Sequence, residues 1–219
     1  MSIDPLILIL VLAVLSMAPF VAIMVTSFVK IVVVINLLRN ALGIQQIPPY
    51  LVVNGLAIIL SIYIMAPVAS QSFDIIKARN LSLKEWSEMN FDQLQDNLTQ
   101  IQTPLQQFLS AHVKERDVAF FKHAAKHLWK NQNMAEPDSK NLLVLVPAFT
   151  VSELTSAFQI GFLIYLPFLA IDLIISNLLL AMGMMMVSPV TISLPFKLLL
   201  FVLVDGWSKV IHGLVLTYS

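Results

Sequence analysis

Four ionisable residues stand inside otherwise apolar stretches of this chain: Lys30, Glu153, Asp172 and Lys197. A charge at the centre of a bilayer costs roughly 2.5–3.5 kcal/mol on insertion scales, so such a group faces protein or water rather than lipid. Charge arithmetic offers Glu153 as a partner for Lys30 or for Lys197, within one chain or between copies. Removing one member of such a pair strands the other. The plainer alternative is that these residues sit near helix ends and extend their charged groups to water.

A second candidate is the run Met182-Gly183-Met184-Met185-Met186, which holds four of the ten methionines of the chain. Methionine is unbranched and its thioether is polarizable, so it repacks against varied surfaces. In a core such a run fills gaps. At the tip of an apolar hairpin it would form a soft plug that closes when empty and deforms around a passing molecule. A third candidate is His123 with His127, at the i,i+4 spacing that lets two imidazoles share a metal. The residues between them are Ala-Ala-Lys, so the glutamate of a zinc protease is missing. No Gly-rich phosphate loop and no G-x-S-x-G elbow occurs, and Ser188 and Ser193 have no evident base. The absence of Cys excludes thiol catalysis, thiolate zinc and disulfide chemistry.

The elements that must position these residues follow from composition. Of 219 residues, 58% are hydrophobic and 12% charged, with a mean hydropathy of +0.84. The charged share is about half of the ~25% of soluble domains. Lys+Arg equals Asp+Glu at 13 each, so no net charge draws the chain to nucleic acid or other polyanions. A disordered tail is excluded by the hydrophobicity. Of the 26 charges, 18 fall in residues 71–141, nine of each sign. The chain therefore divides into an N-terminal hydrophobic helical hairpin (1–70), a polar helical segment (71–141) and a C-terminal hydrophobic helical hairpin carrying the Met run (142–219). No internal repeat is visible.

Hydropathy predicts four long apolar helices in two pairs. The first block runs from Pro5 to Leu38 and the second from Leu51 to Ala69; Leu142–Leu145, Ile160–Val187 and Leu198–Val204 follow. Asn40–Pro49 and Ser188–Pro195 read as the two turns, marked by Gly43 and by prolines. Pro19, Pro67, Pro147 and Pro167 predict kinks or breaks. Ser152, Ser156, Ala157 and Gly161 offer a flank for close helix approach. In the middle segment, Ser82 and Glu85 have capping-box spacing. Phe91, Leu94, Leu98, Ile101, Leu105 and Phe108 form one apolar stripe, which Pro104 is expected to break, with Thr103 as a new cap. A further helix is predicted over Val113–Trp129, burying Val118, Phe121, Ala125, Leu128 and Trp129. Asn131–Ser139 reads as a loop. The N-terminal run lacks a basic flank and a small-residue cleavage site, and so reads as part of the mature protein rather than as a secretory signal.

Several segments in order carry a resemblance. They are Arg39-Asn-Ala-Leu-Gly-Ile-Gln-Gln-Ile-Pro-Pro49, Leu145-Val-Pro-Ala-Phe-Thr-Val-Ser-Glu-Leu154 and Ile160-Gly-Phe-Leu-Ile-Tyr-Leu-Pro-Phe-Leu-Ala-Ile-Asp172. Met182-Gly-Met-Met-Met-Val-Ser-Pro189 and Leu194-Pro-Phe-Lys197 follow. Together they resemble the FliP/SctR family of type III secretion export-apparatus proteins over nearly the whole chain, most weakly over 71–141. The resemblance implies an all-α, integral-membrane-like, non-enzymatic subunit without cofactors. It implies about five copies assembling into a helical pore, with smaller FliQ/SctS-type and FliR/SctT-type subunits. The pore would stand at the bacterial inner membrane, partly displaced toward the periplasm, which would hold the polar segment. Partners implied are a large export-gate protein, needle and inner-rod proteins, transiting unfolded substrates and membrane lipid, with no nucleic acid. Met184, Met185 and Met186 carry over as a pore gasket, and Lys30, Glu153 and Lys197 as ionic contacts between subunits. Flagellar members begin with a cleavable signal, so the resemblance points to the injectisome branch, which serves virulence. Outside the family, Glu153, Asp172 and the broken helices would suit a small-solute or ion transporter with a charge-lined pathway.

Overall fold

A computed structural model describes residues 5–44, 47–78, 91–129 and 138–219. All regular structure among these residues is helical: α1 Pro5–Met24, α2 Phe28–Leu42, α3 Tyr50–Ala78, α4 Phe91–His112, α5 Glu115–Trp129, α6 Leu142–Ala181, α7 Pro189–Leu203 and α8 Gly206–Leu216. The Ser82/Glu85 capping box and most of the Asn131–Ser139 loop lie outside the described residues. Tyr50–Ala78 and Leu142–Ala181 are each long and apolar enough to cross a membrane. Leu15–Met24 with Phe28–Leu42, and Pro189–Leu203 with Gly206–Leu216, pass the same test as broken spans. The four expected apolar elements are therefore present.

Of the kinks or breaks expected at prolines, no break occurs at one. Pro19, Pro67, Pro104, Pro147 and Pro167 all lie inside continuous helix. Each removes one backbone donor, but the flanking i→i−4 bonds can carry the helix on, and for the four in apolar helices the setting offers little competing water. The first apolar block instead breaks at Val25–Ser27, where the Thr150 hydroxyl donates to the Met24 carbonyl at 3.2 Å. The polar stretch before Ile160 does not delay the third element, because α6 runs unbroken through Ser152, Glu153 and Gln159.

The chain forms two compact units, Met1–Val29 with Met65–Glu153 and Lys30–Ile64 with Leu154–Ser219. In the first, Leu109, Val144, Leu145, Ala148 and Phe149 are buried, and Phe108 packs its ring 5.9 Å from that of Phe149. The buried face of α4 is Asn97, Pro104, Phe108 and Leu109, with Ile101 half-buried. It is rotated by about one residue from the predicted stripe, so Leu98 is exposed and Leu105 only half-buried. Side chains of Phe91 and Leu94 lie outside the described set. Pro104, expected to end the helix, is part of its packed face. On α5, Ala125 is buried and Val118, Phe121 and Trp129 are half-buried, whereas Leu128 is exposed against expectation.

In the second unit, α2 presents Ile31, Val34, Ile35, Leu38 and Leu42 at helical spacing, all fully buried. Leu38, Ala41 and Leu42 meet Phe168 of α6 and Phe201 of α7 in one apolar cluster. The expected small-residue flank is used here. A Cβ on Gly161 would lie 2.3 Å from the Leu37 Cδ1 and 3.0 Å from its Cβ, so glycine is what lets α2 approach α6. Between α7 and α8 the chain bends by 61°, with Asp205 in the left-handed region at φ 51°. Gly206 follows because a Cβ there would stand 2.1 Å from the Phe201 ring. Large exposed side chains remain on every apolar helix, among them Leu51, Tyr63 and Leu163, a surface suited to lipid or other subunits.

Candidate functional site

The Met run lies in the turn between α6 and α7. Helix α6 ends at Ala181, and Gly183 takes φ 73° just beyond. The Met184 N–H donates to the Leu179 carbonyl at 2.9 Å, and the Gly183 N–H donates to that of Leu180 at 3.0 Å. This six-to-one, five-to-two pair is a Schellman motif, which satisfies carbonyls that the helix end leaves open. The first hairpin ends α2 the same way. Gly43 has φ 77°, its N–H donates to the Asn40 carbonyl at 3.1 Å, and Ile44 N–H donates to that of Arg39 at 3.3 Å. The second turn thus spans Met182–Ser188 rather than Ser188–Pro195. Ser188 is the N-cap of α7, Pro189 opens the helix, and Pro195 lies inside it. Proline at the first helical position loses nothing, since that N–H has no helix partner.

Within the chain the Met run is not core filling. Met184 is 43% exposed, Met185 81% and Met186 102%.

Lys30, Glu153 and Lys197 are buried, and Asp172 is half-buried. Lys197, 3% exposed, donates from Nζ to the Asp172 Oδ2 at 2.6 Å and to the Ala41 carbonyl at 3.0 Å. The Ser193 hydroxyl donates to the other Asp172 oxygen at 2.6 Å. One ammonium thus ties the C-terminal end of α2 to both helices that carry the Met turn. The carboxylate facing Lys197 is Asp172, not the Glu153 that charge arithmetic offered. Ser193, without a base to make it a nucleophile, serves as a hydrogen-bond donor.

Lys30 is 5% exposed, and its Nζ lies 4.2 Å from the centroid of the Tyr218 ring. A ring face offers negative potential to an ammonium withdrawn from water. Glu153 is 1% exposed. In the same unit, a second acidic site carries no signal in the sequence and involves Ser152, the neighbour of Glu153. The Asp117 carboxylate, 7% exposed, accepts from the Ser152 hydroxyl at 2.6 Å, and Ser152 accepts the Lys114 N–H at 3.0 Å. Asp117 stands in the first turn of α5, where the helix dipole also favours a negative charge. Arg39, 2% exposed, lies 4.4 Å from the Tyr50 ring centroid and donates to the Asn36 Oδ1 at 3.3 Å. Tyr50 and Tyr218 carry no periodic signal that could have paired them with these cations in advance.

Comparison with known proteins gives a consistent answer. The FliP family model matches residues 11–214. "Yop proteins translocation protein R" of Yersinia pestis is 54% identical over 99% of this chain and 97% of its own length. "Hypersensitivity response secretion protein HrcR" of Ralstonia nicotianae is 47% identical over 96% of each chain. "Virulence protein YscR" of Salmonella typhimurium is 46% identical over 99% of this chain and 98% of its own. These are names of secretion and virulence proteins, the branch to which the motifs pointed. With its apolar hairpins, glycine-capped turns and near-complete match to the family model, the chain belongs to the FliP family.

Proposed function

We propose that this membrane protein is a non-enzymatic, pore-forming subunit of a type III secretion export apparatus. Several copies, about five, assemble with the two small partner subunits at the bacterial inner membrane and conduct unfolded protein substrates. The large export-gate protein and the needle or inner-rod components flank the conduit. The observation that carries the reading is the exposed Met182–Met186 turn at the tip of a nearly uncharged hairpin. An apolar constriction blocks ions by excluding water, and flexible thioether side chains let it yield to a passing chain. Burial of apolar surface against other copies accounts for the large side chains exposed on the isolated chain.

The chain contains no cysteine, which makes a direct test available. Met185→Cys gives one thiol per copy. If the turns converge on a common axis, mild oxidation of the assembled complex yields covalent dimers through residue 185. A thiol that stays unpaired in an intact complex would overturn the convergence.

Lys30, Glu153 and Lys197 are proposed as ionic contacts that set the packing of neighbouring copies. Lys197 is engaged inside its own chain, so its contribution runs through Asp172, whose side chain is 24% exposed. Glu153→Ala is expected to reduce recovery of the oligomer in mild detergent, read by native mass spectrometry. Full recovery would sink the interface role of Glu153.

A further inference from the structure

We propose that His123 and His127 form a surface chelate for a divalent transition-metal ion of the Cu2+ or Ni2+ kind. The two residues lie one turn apart on α5, and both side chains are exposed. Their Nε2 atoms stand 3.0 Å apart and their ring centroids 4.5 Å. The two nitrogens, within hydrogen-bond distance of each other, are close enough for two metal–imidazole bonds of about 2.0–2.1 Å to bridge them after a small side-chain rotation. Among first-row divalent ions, affinity for nitrogen donors rises through Ni2+ to a maximum at Cu2+ and falls at Zn2+, which points to Cu2+ or Ni2+. Neutral imidazole nitrogen is also the donor that such ions prefer, whereas Ca2+ and Mg2+ require oxygen ligands.

The site is open. Among the described residues no third His, Asp or Glu completes it. Nothing in the pore reading uses these imidazoles, and their exposure means that replacing them removes no core packing.

Titration of the full-length chain, extracted in mild detergent with its accompanying subunits, tests the assignment. Cu2+ is added in a buffer without chelating groups, with calorimetry for affinity and electron paramagnetic resonance for ligand type. The expected result is one nitrogen-ligated site per chain. His123→Ala and His127→Ala each weaken it by at least about tenfold, since even outer-shell losses at metal sites cost 10–100-fold. His112→Ala leaves it unchanged. Unaltered Cu2+ affinity and spectrum in the His123→Ala/His127→Ala double variant would overturn the site, as would the absence of any nitrogen-ligated signal in the parent chain.

Discussion

Asp172→Asn is expected to lower the stability of the chain by about 3–5 kcal/mol, the cost of leaving a buried charge uncompensated. The substitution removes the negative charge but almost none of the volume. What remains is the Lys197 ammonium, its side chain 4% exposed, facing a carbonyl and an amide. Lys197→Met is the milder change. It leaves the Asp172 carboxylate partly exposed and still holding the Ser193 hydroxyl. Its cost is about 1–3 kcal/mol, that of a polar group losing one partner. Combining the two removes both charges, so the double variant loses less than the sum of the singles. Denaturation midpoints of all three in one detergent read the comparison. Strictly additive losses would mean that the two residues do not act as a pair. The larger loss in Lys197→Met would reverse the order that burial dictates.

Replacing Met184, Met185 and Met186 together with Ala is expected to leave folding and assembly intact. It should raise resting ion leak through the membrane on the order of tenfold or more, because the proposed apolar constriction would be widened. Folding is spared because the three side chains contribute little to the packing of their own chain. The glycine cap of the turn is also untouched, since it is made by backbone atoms. Replacement with Leu separates bulk from softness. Three leucines keep the apolar volume and hold the leak low, but branching at Cγ restricts repacking and slows export. Ion flux in cells or vesicles bearing the assembled complex, beside substrate export, reads both quantities. A parental leak rate in the fully assembled Ala variant would remove the sealing role from the turn.

The sequence made the apolar elements legible because a membrane-length run of hydrophobic residues is a local signal. It also showed the α2/α3 turn, where Gly43, Pro48 and Pro49 act within a few residues of one another. The α6/α7 turn was misplaced because Pro189 and Pro195 drew it downstream, although proline fits the first turn of a helix. That shift hid the partner of Lys197. With the turn centred on Met185, Asp172 and Lys197 lie nearly equidistant from it on opposing helices. With the turn placed later, they do not. The α4 stripe was displaced for a related reason, as Pro104 was counted as a breaker when its ring packs as an apolar residue. The contacts of Lys30 with Tyr218 and of Arg39 with Tyr50 were illegible because no repeat or spacing rule links residues joined only by the tertiary fold.

The Schellman closure at Gly183 has a mechanical meaning. It clamps the backbone of the turn at its entry, while Ser188 and Pro189 start the next helix at its exit. A load pressing on this tip meets a stiff mount with a compliant surface. The compliance resides in the χ torsions of methionine and not in φ and ψ. Exposed rotamers exchange in picoseconds to nanoseconds, far faster than a hinge or a local unfolding event. In the proposed gasket, yielding and recovery of the tip would therefore need no refolding of the turn, whose shape is held by the same two backbone hydrogen bonds.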